Sequence, residues 1–191
     1  MLSEQMSPVF SFKTEWGWCA AQVSVEGIRR FALPMSSPTE VVEVLKGREK
    51  VSSGRSVFEP HCTGCGGTGG EEGRLTQLSN RLIDEVRAYF EGRLRVFSVP
   101  LDLAGASDFR RRVWEALIEI SFGQTVTYGE LARQVGGSAR AIGGAVGANP
   151  LPLLVPCHRV LAAGGGLCGF SAPGGIAVKK RLLEFEGVAY D

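Results

Sequence analysis

A cysteine and a histidine are neighbours in the run Pro156-Cys157-His158-Arg159. Free cysteine has a pKa of about 8.5, so little of it is thiolate at neutral pH. An imidazole within reach, directly or through one water, makes the sulfur a better nucleophile by taking its proton. The pair therefore predicts nucleophilic chemistry at Cys157 with His158 as the base, and a buried structural thiol beside an unrelated imidazole is the alternative.

Two short helices joined by a glycine turn are predicted before this pair. Thr127 and Glu130 form a capping box that opens the first helix, which ends at Gly136. Ser138 caps the second helix, over residues 139–148. The layout is typical of a helix-turn-helix, although ordinary helical hairpins share it.

The second of these helices carries almost no side chains apart from Arg140. Its small residues are Ala139, Ala141, Gly143, Gly144, Ala145, Gly147 and Ala148. Each glycine destabilises a helix by about 0.5–1 kcal/mol relative to alanine, so this composition needs a reason. Either the bare surface packs closely against a neighbouring helix, or it lets the backbone approach a bulky partner while Arg140 reaches into that partner.

Charge is unevenly distributed along a chain whose net charge is +1. No acidic residue occurs between Leu131 and Arg181. The basic residues of this segment are Arg133, Arg140, Arg159, Lys179, Lys180 and Arg181. A basic segment favours a polyanion such as nucleic acid as partner, although solvated basic faces are also common.

The composition is that of a globular chain, with 44% hydrophobic residues among 191, which suits one or two compact domains. Residues 1–5 have no basic region leading into an apolar run, and no stretch approaches the roughly 18 apolar residues of a membrane span. The five cysteines are Cys19, Cys62, Cys65, Cys157 and Cys168. Their odd number and irregular spacing favour reduced thiols, and we expect a soluble cytoplasmic protein.

A small α/β domain is predicted over residues 1–99. Short apolar runs punctuated by glycine predict a strand meander. Its strands are predicted at residues 9–13, 16–25 and 28–33. Helices are predicted from the Ser37 cap onward and over residues 75–91, with a flexible glycine-rich loop at residues 51–73 between them.

The predicted loop contains one histidine and two cysteines, His61, Cys62 and Cys65. A closed structural zinc site needs four ligands, and only the distant Cys19 remains to complete one. Incidental thiols in a glycine-rich loop are the alternative, and no metal site is assigned.

A mainly helical domain is predicted over residues 100–191. Ser107 caps a helix over residues 108–120 that carries an apolar stripe. The apolar run at residues 151–155 predicts a short strand that leads into Cys157.

The run from Asn149 to Val160 resembles the active-site signature of the methylated-DNA–protein-cysteine methyltransferases, the O6-alkylguanine-DNA alkyltransferases. Further similar stretches lie at residues 99–102, 109–117, 122–123, 127–132, 140–145, 169–170, 179, 182–183 and 186–187. The resemblance is close over residues 88–187 and holds only in outline for the amino-terminal half.

The resemblance implies a ribonuclease-H-like α/β domain followed by a winged-helix-like DNA-binding domain with a helix-turn-helix. It implies irreversible, single-turnover transfer of a methyl or small alkyl group from O6 of guanine, less readily O4 of thymine, to Cys157. No cofactor is expected, because the protein itself is the acceptor. The expected partner is double-stranded DNA, bound by a monomer through the minor groove without sequence preference, in the nucleoid or in a eukaryotic nucleus.

The resemblance also implies catalytic roles. Cys157 accepts the alkyl group, His158 takes its proton, and Glu186 orients the imidazole. Tyr128 aids rotation of the base and donates a proton to the leaving guanine. The residues implied to line the substrate pocket are Pro156, Val160, Phe170 and Ser171. Phe170 stands where the family commonly has tyrosine, so the range of alkyl groups accepted stays open.

DNA contacts are implied for Tyr128 and for the second helix. Arg140 would enter the duplex where the flipped base had been, and Asn149 would hold the turn after the helix. The other residues implied to contact DNA are Ala139, Gly143 and Gly144.

Other classes of function remain as alternatives. A non-enzymatic lesion sensor of the alkyltransferase-like type lacks the acceptor cysteine, whereas Cys157 is present here. A cysteine hydrolase would need an oxyanion hole and gives Arg140 no task. A helix-turn-helix transcription regulator gives Cys157 no task, and its recognition helix would need polar residues to read the major groove.

Overall fold

The structure, a computed structural model, describes residues 7–47 and 70–190 and divides into two compact units. The division falls after Ala104, whereas the sequence placed it after residue 99. No helix in the described ranges is both long and apolar enough to cross a membrane. His61, Cys62 and Cys65 lie outside the described residues.

The first unit is built on an antiparallel three-stranded sheet, which confirms the predicted meander. Its strands are β1 (Val9–Thr14), β2 (Gly17–Val23) and β3 (Ile28–Met35). Gly17 turns the chain from β1 into β2 with φ of 131°, and a Cβ there would lie 2.6 Å from the Met35 carbonyl oxygen. Cys19 is fully buried in β2, and this burial raises the pKa of its thiol well above the usual range, against a weaker effect of a hydrogen bond with Thr14.

Two helices pack on this sheet, α1 (Pro38–Gly47) and α2 (Glu71–Phe90). Val41 and Leu45 of α1 are buried against Ala20 and Ala32 of the sheet. The loop predicted at residues 51–73 extends too far, because α2 begins at Glu71. The first turn of α2 is polar and charged. The apolar periodicity from which the helix was predicted therefore begins one turn later.

The second unit is mainly helical. Its helices are α3 (Asp108–Ile118), α4 (Tyr128–Val135), α5 (Ala139–Gly147) and α6 (Gly175–Phe185). Two short strands, β4 (Val126–Thr127) and β5 (Val160–Leu161), pair in parallel. The capping box of Thr127 and Glu130 is confirmed, as are the caps of α3 and α5 by Ser107 and Ser138.

Three of these helices, α3, α4 and α5, pack on one another. The indole N–H of Trp114 in α3 donates to the Ala145 carbonyl oxygen in α5 at 2.9 Å, so a buried donor is satisfied by helix backbone. The β4–β5 pairing sets Thr127 opposite Leu161. Tyr128, the next residue, is thereby placed beside the chain that follows Cys157.

The strand predicted at residues 151–155 is wrong, because this segment is a tight turn. The Val155 N–H donates to the Leu151 carbonyl oxygen at 2.8 Å, and Leu153 has a left-handed φ of 81°. Asn149 closes the turn from inside: its side chain donates to the Val155 carbonyl oxygen at 2.8 Å and accepts from the Leu151 N–H at 2.9 Å. All of residues 151–160 are buried, and a continuous apolar run has no periodicity by which a strand and a turn can be told apart.

Candidate active site

Cys157 lines a cavity in the second unit. Cys157 opens a single 3-10 turn, Cys157–Arg159, directly after the closed turn, and only 4% of the residue is exposed. The cavity has a volume of about 300 Å³, at the small end of ligand pockets. It is lined by Tyr128, Gly143, Val146, Gly147, Cys157, Gly169, Phe170 and Ser171.

A fully buried imidazole follows the thiol. Nε2 of His158 lies 2.9 Å from Oε1 of Glu186, which comes just after α6. Arg159 holds the same carboxylate from a second side, with Nε at 2.9 Å from Oε2 and Nη2 at 2.8 Å from Oε1. The backbone N–H of Gly123 also donates to Glu186, at 3.1 Å. Glu186 is thus fixed by two residues of the Cys157–Arg159 turn and by the backbone of Gly123.

The charges of this network determine which nitrogen of His158 carries a proton. Burial alone raises the pKa of Glu186, but hydrogen bonds and charge from His158 and Arg159 outweigh it and hold the pKa well below the usual range. Burial lowers the pKa of His158, and the opposing effect of Glu186 does not cancel this. A neutral imidazole beside a carboxylate carries its proton on Nε2 and donates it to Glu186.

The other ring nitrogen of His158 is therefore a base. Nδ1 is buried and has no hydrogen-bond partner among the described residues. In the tautomer fixed by Glu186, this nitrogen has a free lone pair. His158 follows Cys157 directly in the 3-10 turn, so this lone pair belongs to the residue next to the thiol.

A buried lysine supplies positive charge to the same region. Lys179 of α6 is 0% exposed, and its Nζ donates to the carbonyl oxygens of Val160 at 2.6 Å and Cys168 at 3.3 Å. Burial lowers the pKa of Lys179, while charge on the sulfurs of Cys168 and Cys157 opposes that shift. The ammonium group accordingly places positive charge near the Cys157 thiol.

Tyr128 places a phenol at the cavity wall. Burial raises the pKa of Tyr128 above its usual value, and the neighbouring sulfurs of Cys168 and Cys157 raise it further. The phenol therefore remains protonated at neutral pH and can donate a proton or a hydrogen bond to a group in the cavity.

The outer surface of α5 is bare. Gly144 and Gly147 are exposed, and a Cβ built on either would meet no atom within 4 Å. Packing within the described residues therefore gives no reason for glycine at these positions. Arg140 is exposed near the start of this surface, which also includes Ala139.

Two of the six basic residues between Leu131 and Arg181 are buried. Their contribution to the predicted basic surface for a polyanion is therefore wrong. Arg159 is 5% exposed and is held by Glu186, and Lys179 is fully buried. The exposed members are Arg133, Arg140, Lys180 and Arg181.

The predicted site residues divide into those at the cavity and those behind it. The predicted residues that line the cavity are Tyr128, Gly143, Cys157, Phe170 and Ser171. Pro156 and Val160 are buried and do not line it. Sequence reasoning missed Val146, Gly147, Gly169 and the Lys179 contacts. The glycines of α5 were noticed as a group, and their helical spacing could have selected Gly147 together with Gly143, because residues four apart share one face.

Comparison with known proteins matches residues 108–188 to the family model described as "6-O-methylguanine DNA methyltransferase, DNA binding domain". A curated methylated-DNA–protein-cysteine methyltransferase from Mycobacterium tuberculosis is 52% identical over 106 residues, 54% of this chain. A protein of the same name from Salmonella typhimurium is 45% identical over 108 residues. Each of these alignments spans 62% of the length of the curated relative.

Solved structures extend the similarity to almost the whole chain. The crystal structure of Mycobacterium tuberculosis O6-methylguanine methyltransferase is 32% identical, with a TM-score of 0.65 and coverage of 95% of this chain and 93% of that one. A structure of Mycobacterium tuberculosis OGT in complex with DNA is 31% identical, also with a TM-score of 0.65. Such neighbours support a fold of an α/β unit followed by a helical one. On this similarity in sequence and structure, the chain belongs to the methylated-DNA–protein-cysteine methyltransferase family.

Proposed function

We propose that this protein repairs DNA by transferring a methyl or small alkyl group from O6 of guanine, less readily O4 of thymine, to the sulfur of Cys157. The transfer is irreversible and occurs once per chain. The observation that carries the proposal is the placement of the Cys157 thiol at a cavity of about 300 Å³, next to a buried neutral histidine with an unpartnered Nδ1. The names of the relatives support the same activity.

The reaction starts when Nδ1 of His158 takes the thiol proton, directly or through one water. The sulfur attacks the alkyl carbon, the bond from that carbon to O6 breaks, and its electron pair passes to guanine. Tyr128 donates a proton to the leaving base, and the proton held on His158 returns to the phenol through solvent. One proton leaves the thiol and one joins guanine, so the step balances and Cys157 becomes a thioether.

The residues behind the thiol stabilise this charge movement. Glu186 is ionised before the reaction, so it stabilises the imidazolium that forms on His158 without needing to change its own protonation. Lys179 places positive charge near the same sulfur, which favours the thiolate. No cofactor is required, since the acceptor is a side chain of the protein.

DNA is proposed to bind on the bare surface of α5, through the minor groove. A base inside a duplex is out of reach and must be flipped, at a cost of a few kcal/mol. Arg140 fills the vacated space, and exposed glycines such as Gly144 let the helix backbone come close. Ala139 is exposed on this helix, while Gly143 and Tyr128 line the cavity and would contact the flipped nucleotide. Asn149 fixes the turn between this helix and the thiol.

Binding is proposed to be independent of sequence and to need a single copy of the chain. Exposed basic residues contact phosphates, which carry no sequence information. The protein would act wherever DNA is kept, in the nucleoid or in a eukaryotic nucleus. The β1-β2-β3 meander with its helices supports a ribonuclease-H-like first unit, and the pair α4 and α5 supports a winged-helix-like second unit with a helix-turn-helix.

Titration with excess duplex containing O6-methylguanine tests the proposed function. We expect uptake to reach a plateau at about one alkyl group per chain, because a thioether is a poor electrophile and has no carbonyl for water to attack. Intact mass should increase by one methyl group, and peptide mapping should place it on Cys157. The unmodified duplex is the control. Continued turnover without an added acceptor would overturn the proposal and favour the hydrolase alternative.

Replacing Arg140 with alanine should slow repair of duplex DNA by at least about tenfold, because the flipped state loses the group that fills its gap. Reaction with the free base O6-methylguanine should change less than about twofold, since no base has to leave a stack. Single-turnover rates on both substrates measure this difference. Arg112→Ala, which removes an exposed arginine of α3, is the charge-matched control. Equal losses on the two substrates would show that Arg140 has a structural role.

A further inference from the structure

The guanidinium of Arg159 is buried and enclosed on several sides. Its Nη1 donates to the Ile120 carbonyl oxygen at 2.5 Å, and its central carbon lies 6.0 Å from the centroid of the Phe122 ring. Its Nε and Nη2 donate to the two oxygens of the Glu186 carboxylate, at 2.9 and 2.8 Å. The mechanism above uses the charge of Glu186 but gives the charge of Arg159 no task.

The carboxylate of Glu186 is shared between this guanidinium and the imidazole of His158. Oε1 accepts from Nη2 of Arg159 at 2.8 Å and lies 2.9 Å from Nε2 of His158, while Oε2 accepts from Nε of Arg159. A guanidinium keeps its proton in proteins, so Arg159 is a permanent cation. The buried pair of Arg159 and Glu186 therefore has no net charge, whatever the protonation state of the imidazole.

Without this cation, the buried carboxylate would draw a proton to His158. An opposite charge within about 4–6 Å typically moves a pKa by about 1–3 units. Nε2 of His158 already faces Glu186, so the added proton would reside on Nδ1. The lone pair that takes the thiol proton would then be lost before the reaction starts.

The other charges around His158 are also identified by the structure. Burial lowers the pKa of His158, Glu186 raises it, and the charges of Arg159 and Lys179 lower it. Lys179 belongs to α6, which packs against the Cys157–Arg159 turn, and donates to backbone carbonyl oxygens. The remaining charged residues of α6 are exposed, namely Lys180, Arg181 and Glu184. Arg159 is thus the cation bound directly to both oxygens of the carboxylate.

We propose that Arg159 is a positioning residue for alkyl transfer, which neutralises the Glu186 carboxylate so that His158 keeps a free lone pair on Nδ1 until the Cys157 thiol gives up its proton. This role rests on the proposed function. Arg159 does not line the cavity and acts through Glu186 and His158. Arg159 keeps the base free before the transfer, and Glu186 stabilises the imidazolium that the transfer creates.

An NMR titration of the ring nitrogens of His158, made without DNA, tests this role. The chain has two histidines, so every protein in the series carries His61→Gln and contains one imidazole. In the parent, Nδ1 should stay unprotonated to below the ordinary pKa of about 6.5. Arg159→Gln can still donate to Glu186 but has no charge, and should raise the midpoint of Nδ1 protonation by at least about one pH unit.

Two further variants separate charge from shape in the same titration. Arg159→Lys retains the positive charge, so its midpoint should stay within about half a unit of the parent. Arg112→Gln makes the matched change at an exposed arginine of α3 and should shift the midpoint by less than about 0.3 unit, because solvent screens its charge.

Single-turnover transfer from duplex DNA containing O6-methylguanine should show the same dependence on pH. At about pH 6, Arg159→Gln should react at least about tenfold more slowly than wild type, because one pKa unit changes the fraction of neutral imidazole tenfold. At about pH 8.5 the imidazole is neutral in both proteins, so their rates should agree within about threefold. A merely structural role would lower the rate by the same factor at both pH values.

The outcomes separate this role from a structural one and from failure of the proposed function. An unshifted midpoint in Arg159→Gln, or an equal shift in Arg159→Lys, would overturn the role of Arg159. A parent midpoint above about 6.5 would overturn it without any variant at position 159, even if Arg159→Gln fails to fold. Absence of alkyl uptake by wild-type protein would overturn the proposed function and this role with it, whereas normal uptake with an unshifted midpoint rejects the role alone.

Discussion

Replacing Cys157 with serine is expected to abolish alkyl uptake while leaving affinity for duplex DNA within a few-fold of wild type. A serine hydroxyl is a much weaker nucleophile than a thiol, and the neutral imidazole of His158 cannot deprotonate it to a comparable extent. The bare surface of α5 and Arg140 are unaffected by the change, so binding should persist. Intact mass after incubation with O6-methylguanine duplex measures uptake, and a fluorescence titration measures affinity.

A matched control for this variant is Cys19→Ala. Cys19 is also a buried thiol, with 0% exposure, but it lies in the first unit. Its loss should leave uptake at one group per chain. Appreciable uptake by Cys157→Ser, with the added mass on another residue, would show that the acceptor has been assigned wrongly.

Replacing His158 with glutamine should slow transfer by about 10²- to 10⁴-fold, the usual contribution of a positioned general base. Glutamine can still donate to Glu186, so the carboxylate and Arg159 keep their partner while the basic lone pair of Nδ1 is lost. Single-turnover rates at neutral pH measure the effect. His61→Gln, which changes the other histidine of the chain, is the control. A loss of less than about threefold would mean that another group takes the thiol proton.

The pH dependence of wild-type transfer provides an independent check on His158. Because burial lowers the pKa of its imidazole, the neutral base should persist below the ordinary value of about 6.5 and be lost only as pH falls through the lowered value. The unfolded chain binds this proton more readily than the folded one, so stability should decrease as pH falls below about 6.5. In His158→Gln, the acid limb of the rate profile that belongs to the imidazole should disappear.

Local signals in the sequence were sufficient for the regular elements. The N-cap serines Ser107 and Ser138 and the capping box at Thr127 predicted where α3, α5 and α4 begin, because a cap is a contact between residues three apart. The turn at residues 151–155 could not be predicted in this way. Its shape depends on Asn149 reaching the Val155 carbonyl oxygen and on a left-handed Leu153, which an apolar run does not encode.

Burial of charge is the other feature that the sequence could not reveal. The sequence predicts that Arg159 and Lys179 are exposed cations, because lysine and arginine side chains usually lie at the surface. Their burial follows from partners that are distant in the chain, the Glu186 carboxylate and the Val160 carbonyl oxygen.

The bare surface of α5 has a consequence for the entropy of binding. Side chains that become ordered at an interface each lose about 0.5–1.5 kcal/mol of rotational freedom, whereas alanine and glycine have none to lose. The exposed residues of α5 are Ala139, Arg140, Ala141, Gly144 and Gly147. Arg140 is the one flexible side chain among these exposed residues. Contact of this helix surface with a duplex would therefore immobilise a single side chain. If DNA binds here as proposed, a surface of this kind needs few favourable contacts for each encounter, which would suit a protein that tests many undamaged bases for each damaged one.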